Sequence, residues 1–205
     1  MGTTRKVEDF GPMLYQHTVE NGLDDMDAVV FLADGGKWLW GIQNDYFPYA
    51  LTCLDLYHST ERLNNMIELL QFKGRAASDK KQDFKDDCFD LLRAGNVHDM
   101  LDLIVTLPPK KGNEKKLDSA LAYFRSNLDR MHYGAFSAAG IFVGSGVIEA
   151  ACKLIVGNRL KNAGMHWSKD HADKMINLRC AIKNGIFLDS YLCNYNRFSS
   201  HFAIA

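Results

Sequence analysis

The fold class is decided by the stretch Asp27-Ala28-Val29-Val30-Phe31-Leu32-Ala33-Asp34-Gly35-Gly36. Its first seven residues form a short and nearly continuous apolar run, typical of a strand buried on both faces in a mostly parallel sheet. The run ends in a carboxylate and a flexible turn, and open α/β sheets bind ligands at that edge. Taken alone, an ordinary Asp-Gly turn would be the default explanation of this pattern. The stretch predicts an α/β fold with Asp34 at the C-terminal tip of a strand.

A second short strand is predicted by the run Leu51-Thr52-Cys53-Leu54-Asp55-Leu56-Tyr57-His58, after which a helix begins at Ser59. This strand ends in an Asp-x-x-His pair formed by Asp55 and His58. For His58 alone, a hydrogen-bonded histidine at the start of a helix is a more common explanation than a metal ligand.

A third acidic site lies in the stretch Gly144-Ser145-Gly146-Val147-Ile148-Glu149-Ala150-Ala151-Cys152-Lys153. Apolar residues recur there at helical spacing and predict a stripe that faces the core, with Ser145 available as the N-cap. A glutamate inside such a stripe is costly unless its charge is compensated. A salt bridge to Lys153, four residues on, and a bound divalent metal are both compatible with this pattern.

The rest of the chain divides by its hydrophobic periodicity into three regions. Residues 1–58 hold a helix near the N-terminus and the two strands, and residues 59–133 are almost wholly helical, with a break at Pro108-Pro109-Lys110-Lys111-Gly112-Asn113. Residues 134–205 hold the helix with Glu149 and a terminal helix that Ser168 caps and that ends near Gly185. The apolar window 138–157 contains Glu149, Lys153 and several glycines, which argues against a transmembrane segment.

Composition limits the class of protein without naming a function. The chain has 205 residues, 47% hydrophobic and 24% charged, as expected for a soluble globular protein with one substantial core. Its five cysteines form no Cys-x-x-Cys pair, which argues against a zinc site or a disulfide framework and fits reduced thiols in a cytosol.

Charge is distributed unevenly although the formal net charge is only −1. From Lys153 to the C-terminus there are eight basic residues against three acidic ones. Positive charge near carboxylates suits an enzyme that acts on phosphodiesters, because it attracts the phosphates of DNA. A solvated basic helix face explains the same charges. The four candidate DNA-binding residues are Lys153, Arg159, Lys161 and Arg179.

Taken in order, these segments resemble one family closely. The segments 30–40, Phe47-Pro48, 54–58, 139–149, 159–168 and Leu178-Arg179 resemble the Asp-Asp-Glu insertion-sequence transposases of the Kra group, relatives of the Mutator-like transposases. The resemblance covers roughly residues 27 to 185, and the middle of the chain matches by helical character alone. It implies a partial ribonuclease-H-like fold, made of the C-terminal strands and helices of the core, with a large all-helical insertion.

The resemblance also implies the chemistry and the partners. Asp34 and Glu149 would be catalytic ligands of Mg²⁺ (or Mn²⁺), and Asp55 and His58 would organise the site or the DNA near the cut. The partner would be double-stranded DNA, both transposon ends and target, and the location the bacterial cytoplasm, associated with the nucleoid. A homo-oligomer is compatible with this, and no membrane is involved.

One element of the family pattern is missing. Asp34 and Asp55 are only 21 positions apart, too few for the two strands and the helix that follow the first catalytic aspartate in a ribonuclease-H-like core. Asp34 therefore matches the second carboxylate, and the first is expected upstream of this sequence. The chain is expected to be the C-terminal part of a transposase with little cleavage activity of its own. The alternatives are an inactive remnant that binds DNA or a transposase, and a helical protein with no nucleic-acid role.

Overall fold

The computed structural model describes residues 6–74, 77–185 and 187. The chain is mixed α/β and mostly helical, as the sequence predicts at the level of class. It forms two compact units. The sheet unit is Met26–Ser145, and the terminal unit joins Met1–Asp25 to Gly146–Ala205.

The sheet unit is built on two parallel strands, β1 (Val30–Ala33) and β2 (Leu51–Leu54), paired from Val30 with Leu51 to Ala33 with Leu54. Parallel neighbours need a crossover connection, and it contains the helix α2 (Lys37–Tyr46). In β1 only Ala33 is buried, and the other three residues are partly exposed. The prediction that this strand is buried on both faces is therefore wrong for most of its length.

The second strand is shorter than the sequence pattern predicts. It ends at Leu54, and Asp55 is the N-cap of α3 (Leu56–Glu68), so His58 lies on the first turn of a helix. The physical reason is local: the Asp55 side chain accepts a hydrogen bond from the His58 backbone N–H, and this bond starts a helix where the apolar pattern alone would continue a strand.

The remaining helices of the sheet unit fall where the periodicity predicts helix, except the last one, which was not predicted. They are α4 (Ala77–Ala94), α5 (Val97–Val105), α6 (Glu114–Ser126) and α7 (Tyr133–Ala138), with a 3₁₀ turn at Leu128–Arg130. Side chains from β1, β2 and these helices share one apolar core that includes Leu54, Leu63, Leu92, Ile104 and Phe124. The break predicted at 108–113 separates α5 from α6.

Close packing of α7 against the end of α4 depends on a glycine. A Cβ at Gly134 would lie 2.4 Å from the backbone oxygen of Ala94, which cannot rotate away. We expect Gly134→Ala to lower the free energy of unfolding by about 1–3 kcal/mol, as overpacking does. Gly41→Ala on α2, where no atom lies within 4 Å, should instead stabilise by roughly 0.5–1 kcal/mol. Urea titrations of both variants measure the difference, and equal midpoints would contradict this packing.

In the terminal unit, α1 (Val7–Glu20) is the helix predicted near the N-terminus, and a 3₁₀ turn (Leu23–Asp25) follows it. The other elements are α8 (Gly146–Cys152), a π-helical segment (Lys153–Gly157), the short α9 (Asn158–Leu160) and α10 (Lys169–Lys183). Ser168 caps α10 as predicted, its hydroxyl accepting from the His171 N–H at 3.3 Å. No helix among the described residues has the length and apolar character to cross a bilayer.

The predicted core-facing stripe around Glu149 is wrong. No residue of α8 is buried, and Val147 and Ile148 are 74% and 54% exposed. The helix has only seven residues before the π-helical segment begins. A π-helix closes bonds five residues apart, so the 3.6-residue repeat assumed for the stripe does not continue to Leu154 and Ile155.

Candidate functional site

The carboxylate predicted at the tip of β1 lies on a tight turn at the sheet edge. Asp34 is exposed, and its Oδ1 accepts a hydrogen bond from the Gly36 N–H at 2.9 Å. Gly35 has a φ of +90°, a conformation that costs little only for glycine. The turn thus fixes the direction of Asp34 while leaving its carboxylate open to solvent.

The strand register brings a second predicted residue beside it. Ala33 pairs with Leu54, so Asp34 and Asp55 are the next residues at the same end of two neighbouring strands. The ladder extends one step further, because the Asp55 N–H donates to the Ala33 carbonyl at 2.8 Å. His58 belongs to the same edge, with its Nδ1 3.4 Å from Asp55 Oδ1. The sheet unit therefore brings together three of the four predicted catalytic residues.

Asp55 is fully buried and highly hydrogen-bonded. Its Oδ1 accepts from the His58 N–H at 2.9 Å, and its Oδ2 accepts from the Ser145 N–H at 2.6 Å. Burial alone would raise the pKa of this carboxyl, but the hydrogen bonds from the Ser145 hydroxyl and from the two backbone N–H groups lower it overall. Asp55 is thus held as a carboxylate with both oxygens already engaged.

Asp55 contacts the segment Val143–Ser145, which precedes α8. The sequence did not predict this contact. Besides the bond from Ser145, the Leu56 N–H donates to the Val143 carbonyl at 2.8 Å. Each of these two bonds joins the N-terminus of α3 to the segment Val143–Ser145, so the helix start and the segment stabilise each other. That Ser145 caps α8 stays a prediction; its backbone N–H donates to a residue 90 positions earlier.

A buried polar chain continues from Asp55 into the core. The Ser59 hydroxyl donates to the Asp55 carbonyl at 2.9 Å and lies 2.7 Å from the Tyr133 hydroxyl. Because Ser59 has one hydroxyl proton, Tyr133 donates in the second bond. Burial raises the pKa of Tyr133, so its phenol stays protonated for this bond.

One further side chain packs on the Asp34 turn and another stacks on that side chain, and no motif in the sequence pointed to either. A Cβ at Gly35 would lie 2.6 Å from the Tyr123 hydroxyl oxygen, so the phenol of α6 packs directly on the turn. The Arg62 guanidinium lies over the Tyr123 ring, 4.0 Å from its centroid. Burial raises the pKa of Tyr123, which Arg62 opposes and the negative charge of Asp34 reinforces. Only the spatial neighbourhood reveals these residues.

The fourth predicted catalytic residue, Glu149, belongs to the terminal unit. It lies on the first turn of α8 and is exposed. Asp34 and Glu149 are therefore in different units. Their approach to within reach of a shared metal ion stays a prediction.

The predicted DNA-binding residues are also in the terminal unit. Arg179 donates from its guanidinium to the Leu154 carbonyl at 2.5 Å, which fastens α10 to the π-helical segment. The Arg159 guanidinium lies 6.0 Å from the ring centroid of the half-buried Trp167. Lys153 and Lys161 are exposed. Of the basic third of the sequence, Arg197 lies outside the described residues.

Comparison with protein-family models, with curated proteins and with solved structures finds no match to this chain.

Proposed function

We propose that this chain carries part of the two-metal catalytic centre of a transposase of the Asp-Asp-Glu class, in a partial ribonuclease-H-like fold. The observation that carries the proposal is the pair of carboxylates, Asp34 and Asp55, at the same end of two parallel strands. Ligands of open α/β sheets bind outside the carboxyl ends of the strands. The proposal assigns Asp34 and Glu149 as metal ligands.

Asp34 has the chemistry that Mg²⁺ or Mn²⁺ requires. It offers an exposed carboxylate whose Oδ2 makes no hydrogen bond within the described part of the chain. Mg²⁺ prefers oxygen ligands, takes one or two carboxylates and keeps several waters, so an open edge suits it better than a closed cage. The residues present therefore fit this metal.

Glu149 is linked to the same region by the chain itself. It follows Ser145, which bonds to Asp55, by four residues. Four residues span at most ~14 Å when fully extended, so the chain connection limits its distance from the anchored segment. The chain connection supports a position of Glu149 near this segment. Whether Asp34 and Glu149 bind the same metal ion is tested by metal titration.

Asp55 and His58 have supporting roles in this proposal. Both Asp55 oxygens already accept hydrogen bonds, so this residue positions the edge rather than offering an open ligand. The imidazole of His58, 37% exposed, can donate a hydrogen bond to a DNA phosphate from its Nε2.

Bound divalent ions would activate the attacking hydroxyl and stabilise the leaving oxygen at phosphorus. The chain's own residues would bind the DNA strand, orient it and keep the carboxylates ionised. Such chemistry needs ligands that fix both ions. Among residues 6–74, 77–185 and 187, β1 and β2 are the strands, and no third strand carries a carboxylate. We therefore expect DNA cleavage by this chain alone to be weak.

A second function, DNA binding without cleavage, is favoured by a specific observation. The basic residues Arg159 and Lys161 lie in a unit separate from the sheet edge, so they can contact phosphates whether or not the metal site is complete. In this reading the chain is a DNA- or transposase-binding protein.

Metal titration tests the proposed function directly. We expect the chain to bind Mn²⁺, measured as loss of the free-ion signal in electron paramagnetic resonance, and Asp34→Asn and Glu149→Gln each to weaken binding at least tenfold. The reason is that each removes one anionic ligand from a site that has few. The matched control is Asp102→Asn, an exposed carboxylate on α5, which should bind Mn²⁺ as the unmodified chain does.

Two results would contradict the assignment. If the unmodified chain binds no Mn²⁺, the carboxylates at this edge are structural. If Asp34→Asn weakens binding and Glu149→Gln does not, Asp34 binds metal without Glu149 and the shared site is wrong.

A further inference from the structure

A pocket of about 360 Å³ opens between α3 and α6 on the sheet unit. Four of its lining residues have apolar side chains, Met66, Leu69, Ala120 and Phe124, and the others are Arg62, Asn65, Lys116, Ser119 and Tyr123. Two cations therefore line the pocket and no carboxylate does. Such a lining favours an anionic ligand, because no acidic neighbour within the pocket neutralises the positive charges.

Arg62 is held in a defined direction. Its guanidinium stacks on the Tyr123 ring at 4.0 Å, and within the described residues it makes no ion pair with a carboxylate. Stacking fixes the plane of the guanidinium while its N–H groups stay available at the edge. A planar guanidinium with free N–H groups matches two oxygens of a phosphate.

The same tyrosine connects the pocket to the sheet edge. Its ring lies under Arg62, and its hydroxyl packs on Gly35, the residue after Asp34. The hydroxyl oxygen is buried with no hydrogen-bond partner among the described residues. The ring therefore acts as a spacer between the guanidinium and the turn that holds Asp34.

We propose that this pocket binds a phosphate group of a DNA strand, with Arg62 and Lys116 as its cationic ligands and Asn65 and Ser119 as hydrogen-bond donors. The strand would pass from the pocket to the Asp34 edge, one tyrosine ring away. The choice of DNA as the source of the phosphate rests on the proposed function. Phosphate binding itself rests on the pocket alone.

The test measures binding of a fluorescent duplex oligonucleotide by anisotropy at several salt concentrations, with EDTA present so that no metal contributes. We expect Arg62→Ala with Lys116→Ala to weaken binding roughly eightfold at 0.1 M salt and to reduce the salt slope by about 0.9, the effect of one lost phosphate contact. The matched control is Lys80→Ala with Lys115→Ala, which removes the same charge from exposed positions that do not line the pocket. The charge-conserving variant Lys116→Arg, which leaves the stacked Arg62 in place, should keep most of the affinity.

Competition distinguishes the sources of the phosphate. Inorganic phosphate at millimolar concentration should shift the amide resonances of Arg62 and Tyr123, and the duplex should shift the same resonances at a far lower concentration. Shifts with inorganic phosphate alone would overturn the assignment to DNA. Equal DNA affinity in the two alanine pairs would overturn the pocket. The DNA titrations contain EDTA and the Mn²⁺ titrations contain no DNA, so failure of the metal site and failure of the pocket give different results.

Discussion

Asp55→Ala is expected to lower the free energy of unfolding of the sheet unit by about 4 kcal/mol. An N-cap contributes about 0.5–2 kcal/mol, and hydrogen bonds to a charged group about 1.5–3 kcal/mol. The substitution leaves the N–H groups of His58 and Ser145 without their acceptor. Asp55→Asn keeps the shape but loses the charge, and about half of this cost is expected. Denaturant titration followed by circular dichroism measures both variants.

The effect should depend on pH in a defined direction. The pKa of Asp55 is lower in the folded protein than in the unfolded chain. Its carboxylate therefore stabilises the fold fully above the unfolded value of about 3.9, and this contribution is lost as pH falls through the lower folded value. The difference between the unmodified chain and Asp55→Asn should thus be constant near neutral pH and shrink in acid.

The control is Asp102→Ala, an exposed position on α5 that should change stability by less than about 0.5 kcal/mol. Ser145→Ala removes one hydrogen-bond donor to Asp55 and keeps the other, so it should cost about 1 kcal/mol. If Asp55→Ala stays within 1 kcal/mol of Asp102→Ala, the start of α3 and the segment Val143–Ser145 are held by other contacts.

The second large effect concerns DNA affinity. We expect Arg159→Ala with Lys161→Ala to weaken binding of duplex DNA roughly 60-fold at 0.1 M salt, since each lost phosphate contact costs about eightfold there. The slope of log affinity against log salt should become shallower by about 1.8. Fluorescence titrations at four salt concentrations give both quantities.

Lys80→Ala with Lys115→Ala serves again as the control, because it removes the same charge from the helices of the sheet unit. Lys81 is unsuited to this purpose, since it pairs with Glu68 at 2.6 Å and its substitution would also remove this ion pair. Equal slopes for the two alanine pairs would show that the basic residues of the terminal unit are a solvated surface.

Local patterns in the sequence predicted the elements that depend on local interactions. The helices α1 and α10, the cap at Ser168 and both strands follow from periodicity and from residue types at their ends. The helix α2 was not predicted. The exposure of α8 was predicted wrongly, because periodicity identifies an apolar face without identifying what covers it.

Of the candidate site, only the residues at the ends of the two strands could be predicted to lie together. Asp34 and Asp55 follow apolar runs, so parallel pairing was enough to place them at one edge. The contacts of Asp55 with Ser145 and of Gly35 with Tyr123 join residues about 90 positions apart. A single sequence does not indicate which residues form such long-range contacts, because many positions along the chain have the same residue types as the actual partners.

The hydrogen bond between Asp55 and Ser145 also affects the order in which the chain can fold during its synthesis. The two residues are separated by 90 positions, so the contact closes a loop that contains every helix from α3 to α7. Synthesis at about 5–20 residues per second places roughly 5–20 s between the appearance of the two partners. During that interval Ser145 is not yet present to donate to the Asp55 carboxylate. The sheet edge that holds Asp34 therefore reaches its final packing only after the whole helical region has been made.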